Sequence, residues 1–376
     1  MRRVTVFREA ERFAGWPANY GMWAWGDELV AVFTVGTMDA TVAGHARDRA
    51  QPFVTVQARS LDGGETWDCA AMPCRTPGGR ALSADEHQVP ELQAGAAISA
   101  GLDNTPAQCP GDIDFTHPDF AMMCARTGLG AGTVSWFYVS YDRCHKWAGP
   151  YALPMFGEAG IEARTDYLVT DRESCTLFVS AARADGGEGK GVLCVRTQDG
   201  GRSFQPLSWV TTCDEGYAIM PASAHLPDGR IVTAVRRAGP RAGEDAYWID
   251  LHASDDGGLS WEYVSTPVSC TGRGGNPPAM ALLPDGRLCL VSGYRDPPFE
   301  MQARLSEDGG ATWSDPRTLR SGGGNSDMGY PRLVQRADGC LVAAYYFNDD
   351  HRGERYIGAT IWRESRMHRG RESWPM

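Results

Sequence analysis

A chain of 376 residues with a formal net charge of −11 has room for one or two domains, and its acidity disfavours nucleic acid and anionic membranes, which both require a basic face. A hydrophobic content of 42% with 45 glycines and 12 tryptophans describes a turn-rich globular protein with a substantial core, not a disordered or fibrous one. No apolar run reaches bilayer-spanning length, and Met1 to Phe7 enters a strand-like pattern without the apolar stretch of a secretion signal, so the expected location is the cytoplasm.

The first element is a short strand, Val4 to Phe7. Strand-like segments at Phe53 to Arg59, Val134 to Ser140, Gly191 to Arg196, Trp248 to Ala253 and Met301 to Leu305 follow. Each leads into one copy of an eight-residue turn. The copies begin at Ser60 (SLDGGETW), Ser140 (SYDRCHKW), Thr197 (TQDGGRSF), Ser254 (SDDGGLSW) and Ser306 (SEDGGATW), the second being degraded by Arg143, Cys144 and Lys146. This is the chemistry of a tight hairpin: Asp satisfies turn amides, Gly accepts positive φ, and the closing aromatic packs on the sheet. Residues 71–113, rich in Pro, Gly and Ala, form an insertion in the second unit, expected as a lid or a surface loop. A second turn type, in Pro227-Asp228-Gly229, Pro284-Asp285-Gly286 and Ala337-Asp338-Gly339, marks the inner hairpins of the fourth, fifth and sixth units.

Five turn-bearing units and a last one from Tyr330 to Trp362 predict an all-β fold, a six-bladed β-propeller with four-stranded antiparallel blades. It occupies residues 1–363 as a single domain, and Val4 to Phe7 supplies the outer strand that the last unit lacks, closing the ring. Residues 364–376 are an expected tail. The 11 cysteines are odd in number and contain no C-x-x-C spacing, which argues for buried thiols, such as Cys194 and Cys289, over a disulfide framework or a metal site. No cofactor is expected.

In a propeller, ligands meet the funnel where the innermost strands begin. These strands open with Asn19-Tyr20, His117-Pro118-Asp119, Arg164-Thr165-Asp166, Asn276-Pro277-Pro278 and Tyr330-Pro331-Arg332. Asn19, Asp119, Arg164, Asp166, Asn276 and Arg332 are therefore expected to contact substrate. Arg164, Arg236, Arg295 and Arg332 converging on one funnel would make an anion pocket inside an acidic protein, suited to the carboxylate of an acidic sugar.

The turn repeats (Asp-boxes) and their topology resemble the sialidase superfamily over essentially the whole chain. That resemblance implies three arginines on the substrate carboxylate, an aspartic acid that protonates the leaving group, and a tyrosine nucleophile activated by a glutamate. Tyr330, in GYPRLVQRADGCLVAAYY, matches the family's nucleophile segment, and Asp48 lies where the acid precedes the first turn, with Asp39 as its substitute. Arg236 and Arg295 match the second and third arginines, Arg237 lying beside the former and Arg304 competing with the latter.

Three positions depart from the pattern. Gly15-Trp16-Pro17 stands where the first arginine belongs, unless Arg8 or Arg12 replaces it; Tyr346 stands for that arginine's partner glutamate, and Met220 for the tyrosine's activator. The implied function is an exo-acting glycoside hydrolase on a terminal sialic-acid-like or other acidic sugar. Two alternatives stand beside it: a lyase that eliminates from a uronate, with Tyr330 or His225 moving the proton, and a non-catalytic carbohydrate-binding propeller.

Overall fold

The computed structural model describes residues 1–42, 44–51, 53–82, 106–186 and 189–364. Apart from one 3-10 turn at Pro17–Asn19, the regular elements among them are β-strands, paired into six small antiparallel sheets that form a six-bladed propeller. Blade four is the plainest: Tyr217–His225, Ile231–Arg241, Glu244–Ser254 and Glu262–Val268 pair in sequence order. Blade five repeats it with Ala279–Leu282, Leu288–Tyr294, Glu300–Ser306 and Arg317–Arg320. The predicted Asp-Gly turns join first strands to second, the amides of Gly229, Gly286 and Gly339 donating to the carbonyls of Leu226, Leu283 and Arg336. In blade six, Gly329–Gln335, Leu341–Phe347 and Tyr356–Trp362 are completed by Arg2–Phe7, with Val4 opposite Ala359. The ring is thus closed by a strand from the far end of the chain, which covers an otherwise open edge.

The repeated turns lie between third and fourth strands. In every copy the first hydroxyl accepts the amide four residues on, at 2.8 Å for Gly64, 2.9 Å for Cys144, 3.0 Å for Gly201, 2.7 Å for Gly258 and 2.8 Å for Gly310. The Asp carboxylate then takes amides and hydroxyls from the second half of the turn, as Asp62 does from Thr66. The degraded copy keeps this geometry because Arg143 and Cys144 adopt positive φ (55° and 69°) in place of glycines.

Hydrogen bonds from Thr66 lower the Asp62 carboxyl to about 2. A depressed folded-state pKa contributes stability above the unfolded carboxylate range that is lost as pH falls through the folded value. Asp62→Ala is therefore expected to cost roughly 1 kcal/mol at pH 7. In thermal melts the gap from wild type should close as pH approaches 2; a gap independent of pH would contradict this.

The core is distributed between blades. Met122, Phe137 and Val139 of blade two pack with Leu177, Val179 and Val195 of blade three, and Phe33 and Ala58 of blade one with Val342, Tyr346 and Ile357 of blade six. Cys194 and Cys289 are fully buried, as expected. Residues 83–105 of the predicted insertion, and 365–376 of the predicted tail, lie outside the described residues. The insertion's flanks pack into the body, through Met72, Cys74 and Leu82 on one side and Cys109 and Ile113 on the other. Neither flank lines the central pocket.

Two features of the blades position the site. Blade two has three strands among the described residues, Ala121–Arg126, Ser135–Ser140 and Ala148–Ala152, and its repeated turn follows the second of these. Ala121–Arg126 therefore corresponds to a second strand, not an innermost one, and runs toward the funnel. The innermost strands of four other blades are interrupted at one level. Blade one breaks between Arg12–Gly15 and Met22–Trp25, and blade three between Ile161–Glu162 and Tyr167–Val169. Blades four and six slip register at Ile219/Ala222 and at Gly329/Arg332.

Candidate functional site

Three of these interruptions share one local sequence, a bulky residue before proline. Trp16, Met220 and Tyr330 have φ of 60°, 52° and 51°, in the left-handed region that a residue preceding proline normally avoids. Such strain persists only where the surroundings enforce it. For Tyr330 the enforcing group is Asn276, fully buried, whose Oδ1 accepts the amides of Tyr330 (3.2 Å) and Gly293 (3.1 Å) while its Nδ2 donates to Met328 O (3.0 Å). Gly329 (φ 107°) must be glycine here, since a Cβ would lie 2.0 Å from Asn276 Nδ2. The result is a tyrosine turned into the funnel.

The funnel holds a cavity of roughly 570 Å³ lined by Trp16, Asn19, His45, Arg126, Arg164, Arg236, Arg273, Arg295, Asp327 and Tyr330, with Leu129, Ser326 and two glycines. Arg126 ends the second strand of blade two and Arg295 directly follows that of blade five, while Arg236 lies midway along the longer second strand of blade four. Arg236 Nη1 donates to Tyr330 Oη (3.2 Å) and its Nη2 to Gly274 O (2.6 Å). Arg295 donates from Nε to Met328 O (3.0 Å) and from Nη2 to Tyr346 Oη (3.0 Å). Both guanidiniums also lie against the Tyr330 ring, 5.6 and 5.4 Å from its centroid. Across the cavity, Asn19 Oδ1 accepts from Arg164 Nε (3.2 Å) and Arg126 Nη2 (3.4 Å). Glu162, fully buried behind Arg164, takes the Gly130 amide at 2.8 Å.

Asp327 is 3% exposed and accepts from four donors: His45 Nδ1 (2.8 Å) and Tyr346 Oη (2.9 Å) on Oδ1, and Ala46 N (2.9 Å) and Arg355 Nε (2.9 Å) on Oδ2. Burial opposes its ionisation, but the His45 hydrogen bond and charge, with Arg355 and the Ala46 amide, hold the carboxyl well below the usual range. Burial and the neighbouring Asp327 charge push the Tyr346 phenol up. The Asp327 charge is thus already matched by Arg355, and five arginines line the cavity with no further carboxylate among its described lining residues. The pocket is electropositive inside an acidic protein, suited to anions.

Five of the sequence-predicted residues meet in this pocket: Tyr330, Arg236, Arg295, Arg164 and Asn19. Five others do not. Asp48 bonds the Ala50 amide at 2.8 Å, and Asp39, its substitute, bonds Thr41; neither lines the cavity. Asp119 sits at the opposite end of blade two, paired with Arg143 at 2.6 Å, because its strand is a second strand. Asn276 braces the Tyr330 backbone from behind. Arg332 is turned inward to the carbonyls of Ala18 and Tyr20, burial lowering it to about 10. Asp166 bonds Ser223 Oγ at 2.8 Å, with burial raising its carboxyl to about 6.

Of the lesser candidates, Arg304, Arg237, Arg8 and Arg12 lie outside the lining, and His225 stands beside the blade-four hairpin, opposite Ile231. Sequence reasoning missed His45, Asp327, Trp16, Arg126 and Arg273. Arg126 was within reach, because it lies on a second strand as Arg236 does, and ends it much as Arg295 follows the end of its own.

Residues 133–343 match the BNR repeat-like domain family. None of the curated proteins matches the chain. Among solved structures, a protein of unknown function from Dyadobacter fermentans is similar over 96% of this chain and 97% of its own, at 19% identity and a TM-score of 0.69. The α-L-arabinanase of Penicillium chrysogenum, solved with arabinobiose, is similar over 96% and 99%, at 12% identity and a TM-score of 0.57. The NanB sialidase of Streptococcus pneumoniae is similar over 92% of this chain and 68% of its own, at 10% identity and a TM-score of 0.56. At these identities the likeness is one of fold.

Proposed function

Because the chain belongs to the BNR repeat-like domain family, whose propeller here places an arginine-lined pocket at the blade mouths, we propose that it is a glycoside hydrolase acting on a terminal acidic sugar. Solved relatives in fold are described as an arabinanase and a sialidase, which supports glycosidic bond cleavage as the chemistry. The observation that carries the reading is Tyr330, its oxygen bonded by Arg236 and its ring flanked by Arg236 and Arg295. In this reading the two guanidiniums grip the substrate carboxylate. The same cations stabilise negative charge on the Tyr330 oxygen, which attacks the anomeric carbon, the carbon that bears the carboxylate when the sugar is sialic-acid-like.

The test is a panel of acidic oligosaccharides and their neutral counterparts. Release of the acidic terminal sugar alone is expected, with Arg295→Ala raising KM about 10²-fold through loss of a charge-assisted contact. Equal cleavage of neutral sugars would defeat the proposal. Binding without product would point instead to a carbohydrate-binding propeller.

One observation favours elimination as a second reading. The carboxyl that lines the cavity, Asp327, is held ionised and already accepts four hydrogen bonds, so it has no proton to give at neutral pH. Removal of a proton beside a uronate carboxylate calls for a base and for cations on that carboxylate, which the arginines supply, and the departing oxygen takes its proton from a group other than Asp327. An ultraviolet-absorbing unsaturated product distinguishes this route from hydrolysis.

A further inference from the structure

His45 lines the cavity and has no part in the reading above. Its Nδ1 lies 2.8 Å from Asp327 Oδ1. The tautomer follows from the nearest partner: an ionised carboxylate only accepts, so Nδ1 carries a proton and donates it to Asp327, the Trp16 indole and the Tyr346 hydroxyl lying farther off at 3.3 Å each. The nearby Tyr346 hydroxyl also gives its proton to Asp327 (2.9 Å) and receives one from Arg295 (3.0 Å). Asp327 is in turn fixed by Arg355 and the Ala46 amide, and its own carbonyl by Asn348 Nδ2 at 2.8 Å. This chain of contacts leaves Nε2 as the ring's one working nitrogen, and among the described residues Nε2 bonds to no hydrogen-bond partner. The His45 and Tyr330 rings stand edge to face with centroids 6.0 Å apart.

We propose that His45 Nε2 is the proton donor and acceptor of the cleavage, and that Asp327 is its positioning residue. This rests on the hydrolase reading. In the first step the Tyr330 phenolate oxygen bonds the anomeric carbon, and the bond to the leaving oxygen breaks. The leaving oxygen keeps that electron pair and takes the Nε2 proton of the imidazolium. In the second, neutral Nε2 takes a proton from a water whose oxygen bonds the anomeric carbon. The carbon–Tyr330 bond breaks and its electron pair returns to the phenolate. Protons and charges end as they began, and the role the resemblance gave to Asp48 passes to a histidine three residues earlier.

The experiment compares methylumbelliferyl with methyl glycosides of N-acetylneuraminic and glucuronic acids, using wild type and His45→Ala. A methylumbelliferyl group leaves without a proton and a methoxide does not. His45→Ala is therefore expected to lower kcat on the methyl glycoside about 10³-fold while changing the first step on the methylumbelliferyl glycoside less than about tenfold, read as a retained fluorescent burst. Circular dichroism confirms the fold, since His45 is partly exposed. Equal losses on both glycosides, with hydrolysis intact in wild type, overturn the role of His45 alone. Wild type that cleaves neither pair, or that yields an unsaturated sugar, overturns the hydrolase reading and this role with it.

Discussion

Tyr330→Phe is expected to lower kcat by at least about 10³-fold on any acidic glycoside that wild type hydrolyses, with KM changed by no more than a few-fold. The change removes one oxygen. The ring keeps its place because φ at this position is set by backbone bonds to Asn276, and its contacts with Arg236, Arg295 and Tyr346 are ring contacts. Arg236 loses one acceptor and retains Gly274 O, so the cost in stability should be about 1 kcal/mol. Kinetics on purified variant and wild type, with thermal melts alongside, decide the matter. Turnover unaltered by the substitution would remove Tyr330 from the chemistry and leave the pocket as a binding site.

The second large effect is on stability. Asp327→Ala strips the counter-charge from Arg355, which is 2% exposed, and strips acceptors from Tyr346 and the Ala46 amide. Removing one partner of a buried ion pair leaves an uncompensated charge, at about 3–5 kcal/mol. Adding Arg355→Met to that variant should recover part of the loss, because the stranded charge is gone. The acid limb should change as well. Asp327 is held below the usual carboxylate range in the folded state, so its stabilisation is present above the unfolded pKa and lost as pH falls. The variant should therefore lose less stability than wild type on acidification. Urea titrations across pH check both statements, and a single variant within 1 kcal/mol of wild type would show that the pair contributes little.

Much of the fold was legible because it repeats. Five turns with Ser or Thr, Asp and an aromatic at fixed offsets place third and fourth strands, and the Asp-Gly turns place first and second strands. A last unit one strand short required a donor, and Val4 to Phe7 was the free strand. Tyr330, Arg236 and Arg295 were legible through the family resemblance, whose pattern could be laid onto the chain because the Asp-Gly turns mark where each strand begins.

Where the repeat lapses, so did the reading. Blade two shows no innermost strand among its described residues, so counting strands there put Asp119 at the wrong end and hid Arg126. Asn276, Arg332 and Asp166 do start innermost strands, but a strand start says nothing of whether a side chain faces the cavity or braces what lies behind it. His45 and Asp327 come from loops on different blades. Their pairing is a property of the closed ring, and no local pattern carries it.

The shared sheet of blade six bears on how the molecule is made. Its first strand leaves the ribosome long before the strand it must join, and meanwhile blades one to five can stack on one another with their ends apart. Final docking is then a single non-local event late in synthesis, of the slow, high-contact-order kind. Asp327 enters the chain just ahead of blade six and closes on His45, which blade one carries, across that same seam. An arc of five blades could bury most of its core and still lack a functional site. Assembly of the ring and readiness for chemistry would therefore coincide.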